Sequence, residues 1–257
     1  MDIGLPPWEY GKYDGYLLMK FFSCEEYLED FLNGKIFFNT SDYFWTIENE
    51  GQADPDESNE IIMSTDQHDF KSMNMEVING RYCAVIRDYS KNPEKYVPST
   101  MLTYSPARNR FRKIVCFYSA YVNTKKDSIL LPSQNMSKAF GKYAVVIPDR
   151  QSFFEELEKG IRNHKGIKEA QIGFVEYVPE KEIRGAYEWG PFKKRYKFSE
   201  QNELRATFID ESKEPVKMEL GINLRHLAFP VLYEDISEIY MKDGGLYYPI
   251  YQPTEEG

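Results

Sequence analysis

The chain is poor in the residues that most often move protons or hold metals. Its three cysteines, Cys24, Cys83 and Cys116, are far apart and odd in number. That argues against a disulfide framework, and no Cys-x-x-Cys or Cys/His spacing suggests zinc. The three histidines, His68, His164 and His226, are equally scattered, so a histidine base or a Cys/His couple has little support. No apolar run approaches the roughly 20 residues that cross a bilayer. The opening MDIGLPPWEYGKYDG has neither the basic nor the apolar region of a signal peptide, so a cytoplasmic location and no membrane partner are expected. Basic charge is also short. Lys and Arg number 32 against 41 Asp and Glu, a formal charge of −9, which argues against a broad nucleic-acid footprint.

Aromatic residues are abundant, with 20 Tyr and 17 Phe. Such rings fill cores, and they also wall sites for flat ligands. The 257 residues are 42% hydrophobic, enough for one large domain or two small ones. There is no repeat, low-complexity tract or linker. Residues 16–40 read as a unit: the strand YLLMKFF, a helix from Ser23 with Glu26 at capping-box spacing, a stop at Gly34, then the strand KIFFNT. SDYFWTIENEGQADPDESNE reads as an acidic loop or lid. Strand-like runs follow at IIMS, MEVI, YCAVI and KIVCFYSAYV, with a short helix predicted over 133–141. KYAVVI is a strand, Ser152 and Glu155 repeat the capping-box spacing before FFEELEKGI, and QIGFVEYV is another strand. A polar loop over 179–198 leads to LRATFI, VKMEL, LAFPVL and ISEIYM. Strands outnumber helices and do not alternate with them. The expected fold is a single α+β domain over 1–257, with mixed or antiparallel sheets and a few short helices.

Several places carry candidate chemistry. KFSEQNELRATFI switches at Leu204 to period-two alternation, the mark of a half-buried strand. If the chain is already extended before it, Gln201, Glu203 and Arg205 share one side. They form either a solvated sheet face or a site. One carboxylate with a neighbouring amide suffices to cleave a glycosidic bond to a good leaving group, because a fixed negative charge stabilises the oxocarbenium-like transition state. Lys20 and the run Phe38, Asn39, Thr40, Tyr43 and Phe44 offer either core and turn residues or a pocket for an amide and a planar ring. Tyr118 and Ser119 end an apolar strand that could border the same cleft, in which Cys116 reads as a small core residue. ADPDE lacks the spacing of a calcium loop, and no metal is expected. The clusters RNRFRK (108–113) and KKRYK (193–197) are solvated faces or local binding patches.

A first strand, a short helix closed by a glycine, an aromatic strand and a late Gln-x-Glu opening a strand resemble the ADP-ribosyltransferase fold. Gln201-Asn202-Glu203 matches that family's Q-x-E motif, and KYKFSEQNELRATF looks most like its nucleic-acid-modifying toxin branch. The resemblance implies NAD as substrate. Glu203 would hold the ribose hydroxyls and stabilise the cation, and Gln201 would face the acceptor. Lys20, Phe38, Asn39, Thr40, Tyr43, Phe44, Tyr118, Ser119 and Arg205 would line the NAD site. Two positions depart from the family: Lys20 stands where it usually has Arg or His, and its Ser-Thr-Ser element is reduced to Tyr118-Ser119. The implied acceptor is single-stranded nucleic acid or a protein, and an antitoxin or inhibitor protein is a further implied partner. GKIFFNT, VCFYS, FGKYAVVI and QNELR also resemble uncharacterised bacterial and phage proteins, which import no activity. The competing expectation is a non-catalytic bacterial or phage inhibitor or immunity protein that binds a basic partner.

Overall fold

The computed structural model describes residues 3–46, 56, 59–64, 71–78, 81–88, 102–104, 111–133, 136, 140–183 and 185–251. Nine strands form the main sheet, numbered here in chain order: β1 (Gly15–Phe22), β2 (Lys35–Thr40), β3 (Arg112–Asn123), β4 (Ser128–Ile129), β5 (Tyr143–Ile147), β6 (Lys168–Phe174), β7 (Glu203–Ile209), β8 (Val216–Glu219) and β9 (Phe229–Leu232). Their spatial order is β6-β7-β3-β1-β5-β9, with β2 and β4 also on β3 and β8 on β2. Every pairing in this sheet is antiparallel. Helices α1 (Glu25–Leu32), α2 (Ser41–Thr46) and α3 (Arg150–Asn163) complete an α+β architecture.

The apolar period of each strand decides its two faces. One face carries Leu18, Phe117, Val145, Leu204 and Phe208, which cluster with Leu28, Phe31 and Leu32 of α1 and Phe153, Phe154 and Leu157 of α3. The other carries Leu17, Met19, Phe21, Tyr118, Ala144 and Val146, joined by Met136, Ile236 and Ile239. A third, smaller cluster of Ile62, Val178, Ile183 and Trp189 lies among the short strands around 61–64 and 176–188. Each large side chain buried in this way contributes about 1.5–3 kcal/mol relative to an exposed one.

Several expected boundaries move. Helix α1 begins at Glu25 with Cys24 as N-cap and no side-chain cap bond, so Ser23 and Glu26 form no capping box. Helix α3 begins at Arg150, because the Asp149 carboxylate accepts from the Ser152 N–H and takes the capping position from Ser152. The start of the acidic segment is helical, since Thr40 Oγ1 accepts from the Tyr43 N–H and opens α2. ISEIYM divides into a 3-10 turn over Tyr233–Glu238 and a strand over Tyr240–Lys242. The polar loop 179–198 holds two short strands, Gly185–Glu188 and Lys193–Arg195, and the start of a 3-10 turn over Tyr196–Gln201. The helix expected over 133–141 lies largely outside the described residues.

Candidate functional site

Strand β3 is the hinge of the arrangement. One of its edges is taken by β7, from Ile209 opposite Arg112 to Glu203 opposite Tyr118. On the other edge β1 pairs from Gly15/Val122 to Met19/Tyr118, and β2 takes over at Asn39/Ile114. Beyond Met19 the pairing of β1 continues with β5, as far as Phe22/Tyr143. Met19, Tyr118 and Glu203 therefore form one transverse row across three neighbouring strands, at the point where β1 parts from β3. With adjacent strands roughly 4.8 Å apart, the ends of that row are about 10 Å apart. Lys20 is the next residue along.

The chain before Glu203 is not extended. The 3-10 turn ends at Gln201, and Asn202 adopts the left-handed conformation with φ 39°, which asparagine tolerates better than most residues. This reversal leaves Gln201 and Glu203 meeting on one cation. Lys194 Nζ donates to Gln201 Oε1 at 2.8 Å and to Glu203 Oε1 at 2.8 Å. Arg205 Nε donates to Glu203 Oε2 at 2.7 Å, and its Nη1 donates to the Pro191 carbonyl. The Glu203 N–H donates to the Tyr177 hydroxyl at 2.8 Å, and Asn202 Nδ2 donates to the Tyr118 hydroxyl at 3.2 Å. The side chains of Lys194, Glu203 and Arg205 are 4%, 6% and 1% exposed, so the network is interior and its bonds are charge-assisted.

Electrostatics follow from that burial. Desolvation pushes the Glu203 carboxyl up, but Arg205 and Lys194 together outweigh it and hold the pKa at about 2, below the ordinary 4.5. The group is ionised throughout the neutral range. Burial raises the Tyr118 hydroxyl to about 12 and the Tyr177 hydroxyl well above its ordinary value, so both stay neutral. At Lys20 burial lowers the ammonium pKa against the opposing pull of Cys116 and Glu203. Its Nζ lies 5.9 Å from the centre of the Phe22 ring.

The other sequence candidates divide. Ser119 lies beside Tyr118; its N–H donates to the Asn202 carbonyl, and its fully buried hydroxyl has no partner among the described residues. Phe38 does not border this row: it is a core residue, its ring 4.8 Å from that of Phe208. Asn39 accepts from the Thr40 N–H and Thr40 caps α2, so both have local structural work. Tyr43 is exposed and packs edge-on to Phe44. The basic strip KKRYK is a correction. Lys194 and Arg195 are interior, the latter paired with Asp56 at 2.5 Å and Glu180 at 2.6 Å. In the other cluster Lys113 is fully buried and donates to the carbonyls of Phe111 and Ser212.

Sequence reasoning missed Lys194, Tyr177 and Asn202. The signal for Lys194 was present: a carboxylate opening an apolar strand requires a cation if that strand is covered on both sides. Among the described residues no group of three or more His, Cys, Asp or Glu is placed to hold a metal, and no helix is long and apolar enough to cross a membrane. The chain matches no protein-family model, no curated protein and no solved structure.

Proposed function

We propose that the chain is an NAD-cleaving ADP-ribosyltransferase whose working carboxylate is Glu203. The observation that carries this reading is the row Met19–Tyr118–Glu203 at the parting of β1 and β3. It sets Met19 and Tyr118 on the same face of the sheet as Glu203, with Gln201 just before it, so that three separate stretches of sequence meet there. On the face that carries Glu203 a dinucleotide would meet Tyr118 and Gln201, whereas Lys20 and the buried Ser119 hydroxyl point to the other face of the sheet, with Leu18 and Phe117. The chemistry asks little of the protein. The bond from ribose C1′ to the nicotinamide nitrogen breaks with its electron pair leaving on the neutral nicotinamide, so no general acid is needed. An ionised, fixed carboxylate stabilises the sugar cation that remains.

Of the two acceptor classes, a basic protein suits this chain better than a nucleic acid. The formal charge is −9, and two of the basic residues that would have held phosphates are buried in ion pairs. Release of labelled nicotinamide from NAD is the test. Glu203→Asp, which keeps the charge but withdraws it by one methylene, should lower turnover on the order of 100-fold. Wild-type turnover in a folded Glu203→Asp protein sinks the assignment. A second reading, a non-catalytic inhibitor of a basic partner, is favoured by the exposed tyrosines Tyr10, Tyr27, Tyr196, Tyr240 and Tyr247, since tyrosine is enriched at interfaces. It predicts no nicotinamide release at all.

A further inference from the structure

We propose that Lys194 is a latch on Glu203: its ammonium occupies the place where the positive charge of the reaction would develop, and the site works only when Lys194 withdraws. This rests on the ADP-ribosyltransferase reading and adds to it the regulation of the same carboxylate. Three observations carry it. Lys194 Nζ sits 2.8 Å from Glu203 Oε1, an ordinary charge-assisted hydrogen-bond distance. The same ammonium holds Gln201 Oε1 at 2.8 Å, so one side chain engages both the Gln and the Glu of the Gln-x-Glu segment. Both Lys194 and Glu203 are interior, where the attraction is little screened by water.

The withdrawal asked of the latch is a rotation of the Lys194 side chain, since the strand that carries it is held in place. Lys194 belongs to the three-residue strand Lys193–Arg195, which pairs with Glu176–Val178 in a separate two-stranded ribbon. That ribbon is tied down beside the site by Arg195, through Asp56 and Glu180. Glu203 itself stays on β7 and keeps Arg205 as a partner on its other oxygen. Withdrawal of Lys194 therefore frees Oε1 without stranding the carboxylate.

The reaction shows why the latch opposes turnover. As the bond from C1′ to nitrogen breaks, positive charge grows on the sugar; water then adds its oxygen to C1′ and loses a proton, giving ADP-ribose, nicotinamide and H⁺. A second cation already hydrogen-bonded to Glu203 cancels the field that should stabilise this charge. Its effect falls on the transition state, so it lowers kcat more than it alters KM.

The experiment is NAD hydrolysis by the full chain and by Lys194→Met, which removes the charge at similar length. The latch predicts a kcat at least tenfold above wild type with little change in KM. Lys194→Arg, which keeps a cation on the carboxylate, should fall below Lys194→Met, and Lys194→Met/Glu203→Asp should lose the gain. If Lys194→Met melts below the assay temperature, Lys194→Gln takes its place. Turnover at or below the wild-type rate in the neutral variants overturns the latch and leaves the transferase reading standing. No hydrolysis by wild type or any variant overturns the transferase reading, and the latch with it.

Discussion

At the scale of single residues, Glu203 decides how the molecule responds to acid. Its folded pKa of about 2 lies below the ordinary 4.5, because Arg205 and Lys194 together outweigh the cost of burial. A depressed carboxyl contributes stability that is complete above the unfolded pKa and disappears as pH falls through the folded one. The loss should therefore run from about pH 4.5 down to about pH 2 and amount to roughly 3 kcal/mol. Urea unfolding across that window checks it, and a flat profile there would show that Glu203 is not clamped. The same geometry makes Glu203→Gln a structural change as well as a loss of charge. An amide there strands Lys194 and Arg205 as interior cations, and breaking a buried pair costs about 3–5 kcal/mol. Glu203→Gln should thus unfold at distinctly lower urea at neutral pH, a cost that Glu203→Asp largely avoids.

At the scale of elements, the unit from β1 to β2 was the most legible part of the chain, and Gly34 shows why. Its φ is +80°, and a Cβ there would sit 1.9 Å from the Ile222 carbonyl oxygen. The Gly34 carbonyl accepts from Leu220 and the Leu32 carbonyl from Leu224, so the helix end is fastened to the later chain. Gly34→Ala combines a left-handed alanine with a backbone clash. It should destabilise by about 3 kcal/mol, measured as a lower urea midpoint with unchanged slope; a midpoint within error of wild type would mean that the loop around Ile222 yields freely. Apolar runs bounded by a glycine or a turn were read at nearly their true limits, as KIFFNT and IIMS were. The failures share a cause. LRATFI alternates and predicts a half-buried strand, yet every residue of β7 is buried; on its second face Glu203 and Arg205 are covered by the segment around Lys194, through Lys194 Nζ and the Pro191 carbonyl. That segment has no period of its own. Its short strand exists only through pairing with Glu176–Val178, and local sequence cannot announce a partner of that kind. Likewise a side chain that caps from one residue earlier, as Asp149 does, displaces a plausible Ser/Glu capping pattern without altering the apolar face behind it.

At the scale of the whole molecule, charge bears on the proposed acceptor. Gln201 and Glu203 do meet, but through the left-handed turn at Asn202 and not through an extended chain, and what they meet on was hidden, because KKRYK reads as an exposed basic strip and only its outer members reach solvent. Lys193 is half-buried, Tyr196 and Lys197 are exposed, and Lys194 and Arg195 are interior. On the transferase reading, an acceptor would meet a molecule of formal charge −9 in which Lys193 and Lys197 are the lysines of the strip that reach solvent. Such a field draws in cationic proteins and repels polyanions, with a range of about 10 Å at 0.1 M salt. Offered labelled NAD together with a histone mixture and a mixed-sequence single-stranded RNA, the chain should place label on protein. Transfer to the histones should fall as salt rises from about 0.05 to 0.5 M, while NAD hydrolysis, which needs no long-range attraction to a basic surface, should change far less. Lys193→Glu/Lys197→Glu makes the neighbourhood still more acidic while leaving the Lys194 and Arg195 ion pairs in place. It should preserve or improve transfer to histones, whereas a nucleic-acid acceptor requires the reverse. Label that is removed by nuclease, and lost in this double variant, would show that the two lysines are enough to overcome the charge of the rest of the chain.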